Sequence, residues 1–269
     1  LCKDLGMTLK RVETPFLASA APDEIWGGCG HATPPDEAPE TEGVLQKVAC
    51  SVLMKVLYGA RVARWDLLKA VNRLAARVSK WSSGCDKELH RLMCYIQSSV
   101  NDKLCGYIGD GPEALTLALY ADADFAGDRP GFRSTSGMCL FVAGARSFFP
   151  FAAKSIKQSC VSHSTPEAEI VAANAALRVV GVPALDLWEV VLGRKLLLDF
   201  HEDNETAITV CTTGKNPAMK HISRTHGVQV SWLYEVFNIK PQAVLKYIPT
   251  VEQRADIFTK AFKDKAKWQ

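Results

Sequence analysis

Apolar residues in the first half of the chain recur at helical spacing. The pairs Val44/Leu45, Val48/Ala49, Val52/Leu53 and Val56/Leu57 return every three to four positions, which predicts an amphipathic helix. Leu67, Leu68, Val71, Leu74, Ala75 and Val78 form a second stripe, and Leu89, Leu92, Met93 and Ile96 a third, before Gly106 and Gly109-Asp110-Gly111-Pro112 interrupt the pattern. Residues 44–110 therefore read as a small helical unit. Ahead of it, Ala, Pro, Gly, Asp and Glu dominate 18–43, so 1–43 reads as an extended or linker segment.

Past Pro112 the texture changes to strands alternating with helices. Strands are expected over 114–123, 137–142 and 147–153, the last two joined by a turn at Ala143-Gly144. A helix over about 166–180 follows, with Ser164 and Glu167 in capping-box spacing and Pro166 suited to the first turn. A shorter helix over 184–192 stops at Gly193, and a strand over 195–202 leads into a helix over 204–211 that ends near Gly214. A helix over 228–237, a strand over 243–248 and a closing helix from Val251 to about Lys265 complete the series. The expectation is an α/β domain over 111–269, its mixed five-stranded sheet flanked by helices.

Composition narrows this picture more than it extends it. The chain has 269 residues, 48% apolar and 23% charged, which is material for a core and unlike a disordered protein. At about one domain per 150 residues, two domains are favoured. The formal charge of +3 permits a nucleic-acid partner without demanding one. Nine cysteines, an odd number with no Cys-x-x-Cys pair, argue against a disulfide framework and for a reducing compartment. No signal-peptide pattern is visible and no apolar run reads as long enough to span a bilayer. The start at Leu1 suggests a segment of something longer.

Candidate chemistry lies in four carboxylates at strand ends and helix starts: Asp122, Glu169, Asp203 and Asp256. Acids converging from separate elements, without a Cys or His ligand set, suit a hard divalent cation. Each has a plainer reading. Asp124 lies two residues from Asp122 on the same side of a strand and could be the ligand instead. Asp203 could cap the helix beginning at Asn204, and Asp256 could be a surface acid of an amphipathic helix. Glu169 stands apart, because Ala172, Ala173 and Ala176 share its helix face and a carboxylate there is buried unless it serves a site. Cys160, His163, His221 and His226 are zinc-type residues, but they lack the paired knuckles of a structural zinc site.

The strings around these acids resemble the ribonuclease H domain at the C-terminal end of the Pol polyprotein of copia-type LTR retrotransposons. They are Tyr120-Ala-Asp-Ala-Asp-Phe-Ala-Gly-Asp128, Arg133-Ser-Thr-Ser-Gly137, Ser162-His-Ser-Thr-Pro-Glu-Ala-Glu169, Glu202-Asp-Asn-Glu-Thr-Ala-Ile208, Lys220-His-Ile222 and Ile248-Pro-Thr-Val-Glu-Gln-Arg-Ala-Asp-Ile-Phe-Thr-Lys260. Their order and spacing together are specific. More faintly, Gly6-Met7, Thr14-Pro15, Arg64-Trp-Asp66 and the helices over 44–61 and 87–100 are similar to the reverse-transcriptase thumb and connecting segment.

The resemblance implies a ribonuclease H-like fold that cuts the RNA strand of an RNA–DNA hybrid with two Mg²⁺ ions, with Mn²⁺ as a substitute, held by Asp122, Glu169, Asp203 and Asp256. It implies a reverse-transcriptase domain of the same polyprotein as partner, an intracellular location in cytoplasmic particles or the nucleus, and no membrane partner. Substrate contacts are expected from Arg133, Ser134, Thr135 and Ser136, from Asn204, and from the basic run Lys220, His221, Arg224 and His226 with Lys215 nearby. A solvated basic face and turn hydrogen bonding explain the same residues. Two departures from the pattern stand out. The loop 248–253 lacks the histidine that cellular ribonucleases H often carry there, and Asp122-Ala-Asp replaces the commoner Asp-Gly-Ser. Glu202 and His201 crowd Asp203.

Overall fold

A computed structural model describes residues 8–17, 41–128 and 131–268. Most of the expected linker 18–43, the Gly6-Met7 pair and part of the 1–43 segment lie outside the described residues. The chain forms two compact units, one of residues 1–102 with 261–269 and the other of 103–260. The division falls near the expected boundary at 110/111, and residues 261–268 group with the helical unit.

The helical unit contains α1 (Gln46–Val62), α2 (Leu68–Ala75) and α3 (Ser83–Ser98), where the apolar stripes place them. Leu53, Val71, Leu74, Leu89 and Leu92 are among its fully buried side chains. Its N-terminal donors are met from a distance. Asp86, buried on α3, accepts hydrogen bonds from the Val44 and Leu45 amides and from Trp81 Nε1. A short helix α9 (Lys265–Trp268) brings Trp268 edge-on to Phe16 and Tyr95.

In the second unit the strands are β1 (Tyr107–Ile108), β2 (Thr116–Asp128), β3 (Arg133–Gly144), β4 (Ser147–Lys157), β5 (Leu198–Glu202) and β6 (Ala243–Tyr247). They lie in the order β1-β4-β3-β2-β5-β6. β2, β3 and β4 form an antiparallel meander, and β5 and β6 continue it in parallel on the other side of β2. This is the α/β, ribonuclease H-like fold the strings imply, with one difference. The sheet has six strands among the described residues, because the two-residue β1 pairs with the edge of β4, and a pairing that short leaves no alternation to read.

The core follows the period of two. Leu117, Leu119 and Ala121 of β2 and Leu198 and Phe200 of β5 face one side and are fully buried beneath the helices. Those helices are α4 (Thr165–Ala176), α5 (Val182–Leu192), α6 (Glu205–Thr213), α7 (Ile222–Thr225) and α8 (Val230–Tyr234). The helices expected over 166–180 and 184–192 are continuous through a π turn at Leu177–Gly181. Pro183 lacks the amide that a regular ladder needs, and Gly181 lets the turn approach Leu119 and Leu198, each 3.0 Å from where a Cβ would stand. The resulting Thr165–Leu192 helix is long and apolar enough to cross a membrane, contrary to the sequence expectation, but half of its most apolar window is buried inside the protein. A core helix of this length accounts for that hydropathy.

Candidate metal centre

β2 carries Asp122 out of phase with Leu117, Leu119 and Ala121, so its carboxylate leaves the main core and meets Thr259 and Lys260. It is 2% exposed. Gly137 lies directly opposite it on β3, and the missing side chain lets the 3-10 turn Arg254–Phe258 approach. A Cβ there would stand 2.6 Å from Thr259 Cγ2 and 2.8 Å from the Ala255 carbonyl oxygen. Gln253 fixes the turn: its Oε1 accepts from the Ala255 amide and its Nε2 donates to the Ala121 carbonyl at 2.8 Å. Thr259 then donates its hydroxyl proton to Asp122 Oδ2. Asp256 thus arrives on a short 3-10 turn, not on the α-helix expected over 251–265.

Glu169 projects from α4, whose start is well specified. Ser164 caps it by accepting from the Glu167 amide, and Glu167 reaches back to accept from the His163 amide at 3.0 Å. Asp203 follows the end of β5. The capping role suggested for it belongs to Asn204, whose side chain accepts from the Ala207 amide, so Asp203 is left for the site. One oxygen each from Asp122, Glu169 and Asp203 lies within 4.8 Å of the others. This is the one such group of His, Cys, Asp and Glu among the described residues, and the zinc-type residues form none. Asp124 does not join it, because its carboxylate accepts from the Thr135 amide across the sheet.

Acids gathered in one place repel each other. Burial, then Glu202, Asp122 and Asp203, push the Glu169 carboxyl up to about 11, against a hydrogen bond with the Ala123 backbone. Asp256 rises to about 7 through burial and the charge of Asp122, with Lys260 opposing. Asp122 is raised by burial, an effect that Lys260 and Thr259 oppose. Lys260 places Nζ 2.6 Å from Asp256 Oδ1 and 3.6 Å from Asp122 Oδ1. Glu202 was not among the expected site residues, yet it is 1% exposed and its pKa is raised well above the ordinary value by burial. Its signal was alternation, since Leu198, Phe200 and Glu202 share the inward face of β5.

These residues fit a divalent cation. Three carboxylate oxygens converge, Glu169 Oε2 is buried without a hydrogen-bond partner, and an ammonium already lies against two of the acids. The metal-free protein should accordingly lose stability with rising pH. An acid whose pKa is higher folded than unfolded stabilises the fold below its unfolded value, and that contribution is lost as pH rises through the folded value. The window runs from the ordinary 3.8 to about 7 for Asp256 and from 4.5 to about 11 for Glu169. In EDTA, Tm is expected to fall between pH 5 and pH 8, and saturating Mn²⁺ should restore it. A Tm that rises across that interval without metal contradicts the geometry.

The expected substrate contacts divide. Lys215, Lys220 and Arg224 are exposed, and Arg133 is half-buried. Ser134, Thr135 and Ser136 are buried, with Ser134 Oγ accepting from the Ala126 amide and Ser136 Oγ from Gln158 Nε2. Those hydroxyls therefore face inward, where residue type alone could not place them. His221 and His226 turn toward Glu167, with Nε2 at 3.2 and 3.4 Å from Oε1, and the His226 side chain is 1% exposed. The pair anchors the first turn of α4, two residues before Glu169. Glu167→Ala removes the acceptor of the His163 amide and the carboxylate facing the buried His226 imidazole, at about 1–3 kcal/mol for a buried group left unpaired. Urea unfolding should register that loss, and an unchanged midpoint would assign the cluster no structural weight.

The fold is ribonuclease H-like, and its acids meet at the end of the central strand. No protein-family profile matches the chain. Over 224 residues, 82% of its length, the chain is 30% identical to the "Retrovirus-related Pol polyprotein from transposon TNT 1-94" of Nicotiana tabacum. The match covers 16% of that polyprotein, so the chain spans a small part of its relative's length. The chain is thus a relative of retrotransposon Pol polyproteins, as its strings imply. Among solved structures it is similar to ribonuclease H1 from the archaeon Halobacterium salinarum, at 15% identity and TM-score 0.38 over 54% of this chain and 94% of that one. It is also similar to the LC11 ribonuclease H1 isolated from compost, at 17% identity and TM-score 0.35 over 54% and 92%.

Proposed function

We propose that the chain is a metal-dependent ribonuclease H that cuts the RNA strand of RNA–DNA hybrids during reverse transcription of a copia-type retroelement. The observation that carries this reading is the convergence of Asp122, Glu169 and Asp203 within 4.8 Å, with Asp256 held beside Asp122 by the Arg254–Phe258 turn. These four residues would hold Mg²⁺, with Mn²⁺ as a substitute. When bound, the metal would supply an activated water on one side of the phosphodiester and neutralise charge on the 3′ oxygen that leaves from the other. The chain's own residues do the rest. Thr259 and Gln253 fix Asp122 against Asp256, and the cap of α4 fixes Glu169.

Lys215, Lys220 and Arg224 are exposed beyond the helix that follows Asp203 and suit contacts to the phosphates of a hybrid, which position it without reading sequence. Discrimination for RNA then rests on the 2′-OH beside the carboxylates. A reverse-transcriptase domain of the same polyprotein is the partner this reading names. A second reading, a module that binds hybrid without cutting it, is disfavoured by the retention of all four acids.

The test is a labelled RNA–DNA hybrid incubated with the chain and Mg²⁺, beside single-stranded RNA and duplex DNA. The enzyme reading expects cuts in the RNA of the hybrid alone. Hybrid that is bound and left intact by folded, metal-loaded protein favours the binding module.

A further inference from the structure

Lys260 is not needed to build the carboxylate site, yet it stands inside it. Its amide donates to the Asp256 carbonyl at 2.8 Å, one helical turn back, so its stem rises alongside the Asp256 side chain. Its ammonium then lies 2.6 Å from Asp256 Oδ1 and 3.6 Å from Asp122 Oδ1. The other Asp122 oxygen is taken by the Thr259 hydroxyl. Lysine therefore meets the Asp122 oxygen that remains for a cation. An exposed ion pair would have little consequence, but here the Asp122 side chain is 3% exposed and the charge of Lys260 offsets acids that have almost no water around them.

We propose that Lys260 is a resident counter-ion of this site, which a divalent cation must displace from Asp122 and Asp256, so that the lysine sets how much metal the site requires. The inference rests on the reading of these acids as metal ligands. A compact ammonium on a flexible four-carbon stem suits the role, because it can leave without moving backbone. The Lys260 side chain is 37% exposed, so a path to solvent is open. Before metal arrives the lysine holds Asp122 and Asp256 together. Afterwards an ion with twice its charge takes its place.

Calorimetric titration of the whole chain with Mn²⁺, without nucleic acid, tests this independently of cleavage. Lys260→Met is expected to bind Mn²⁺ about tenfold more tightly than wild type, since the ion no longer competes with a fixed charge. Lys260→Arg keeps the charge and should stay within about twofold of wild type. In EDTA at pH 8, Lys260→Met should melt below wild type, with the gap closing at saturating Mn²⁺. If Lys260→Met does not fold, Lys260→Gln decides by the same criteria. Equal or weaker Mn²⁺ binding by a folded, uncharged variant overturns the counter-ion role while leaving the metal site intact. A wild-type chain that binds no Mn²⁺ overturns the metal-site reading and this inference with it.

Discussion

Replacing Asp122 by Asn is expected to abolish cleavage of the hybrid while leaving the metal-free fold at least as stable as wild type. Asp122 is the acid that the other elements are built around. Thr259 donates to it, Lys260 reaches it, and Glu169 and Asp203 share its space. An amide of the same shape keeps an acceptor for Thr259 but removes the charge that would hold metal. Losing several kcal/mol of transition-state stabilisation lowers the rate roughly 10³-fold or more. In EDTA the same change relieves repulsion on Glu169, for which Asp122 is one of the raising charges, so Tm should not fall. Single-turnover cleavage and thermal melts in EDTA measure the two halves. A variant that cuts within tenfold of wild type would remove Asp122 from the site.

Gly137→Ala should also damage cleavage, though less, for a steric reason and with the opposite effect on the fold. The residue bears no functional group and faces Asp122 across the sheet. An added Cβ would stand 2.6 Å from Thr259 Cγ2, 2.8 Å from the Ala255 oxygen and 2.9 Å from Phe258 Cβ, and two of these belong to backbone or to the root of a side chain. The Arg254–Phe258 turn must retreat and carry Asp256 away from Asp122. A displacement of about 1 Å in a catalytic constellation costs about 10²-fold in rate, and overpacking of this kind costs about 1–3 kcal/mol of stability. Cleavage and urea unfolding should therefore fall together, whereas in Asp122→Asn only cleavage falls. Wild-type activity in Gly137→Ala would mean that the turn does not position Asp256.

How far the sequence disclosed this site depends on the kind of signal each residue left. Glu169 was legible alone, because a carboxylate on an alanine-lined helix face has no role in packing. Asp122 was legible with Asp124 as its rival, and the hydrogen bond from the Thr135 amide to Asp124 separates them. The element bearing Asp256 was misread: a 3-10 turn of five residues, fixed by Gln253 and Gly137, presents nearly the spacing of an α-helix. Glu202 was noticed only as a neighbour of Asp203, although its phase with Leu198 and Phe200 marks it as inward. Residue type says least at Ser134, Ser136, His221 and His226, which suit phosphate contacts, while the fold pairs the two hydroxyls with Ala126 and Gln158 and turns both imidazoles toward Glu167. His221 meets Glu167 from 54 residues away in sequence, a pairing that no local pattern carries.

The most direct test of the central claim is single-turnover cleavage of a labelled RNA–DNA hybrid in Mg²⁺ by wild type and by Asp203→Asn, with both shown folded by circular dichroism. Asp203 is part of the converging triad and, with Asn204 serving as the helix cap, has no structural duty to confuse the result. The account predicts RNA-strand cutting by wild type, its loss in EDTA and its loss in Asp203→Asn. Cutting that persists in the variant, or that proceeds without divalent metal, would contradict a metal-dependent site built from these carboxylates.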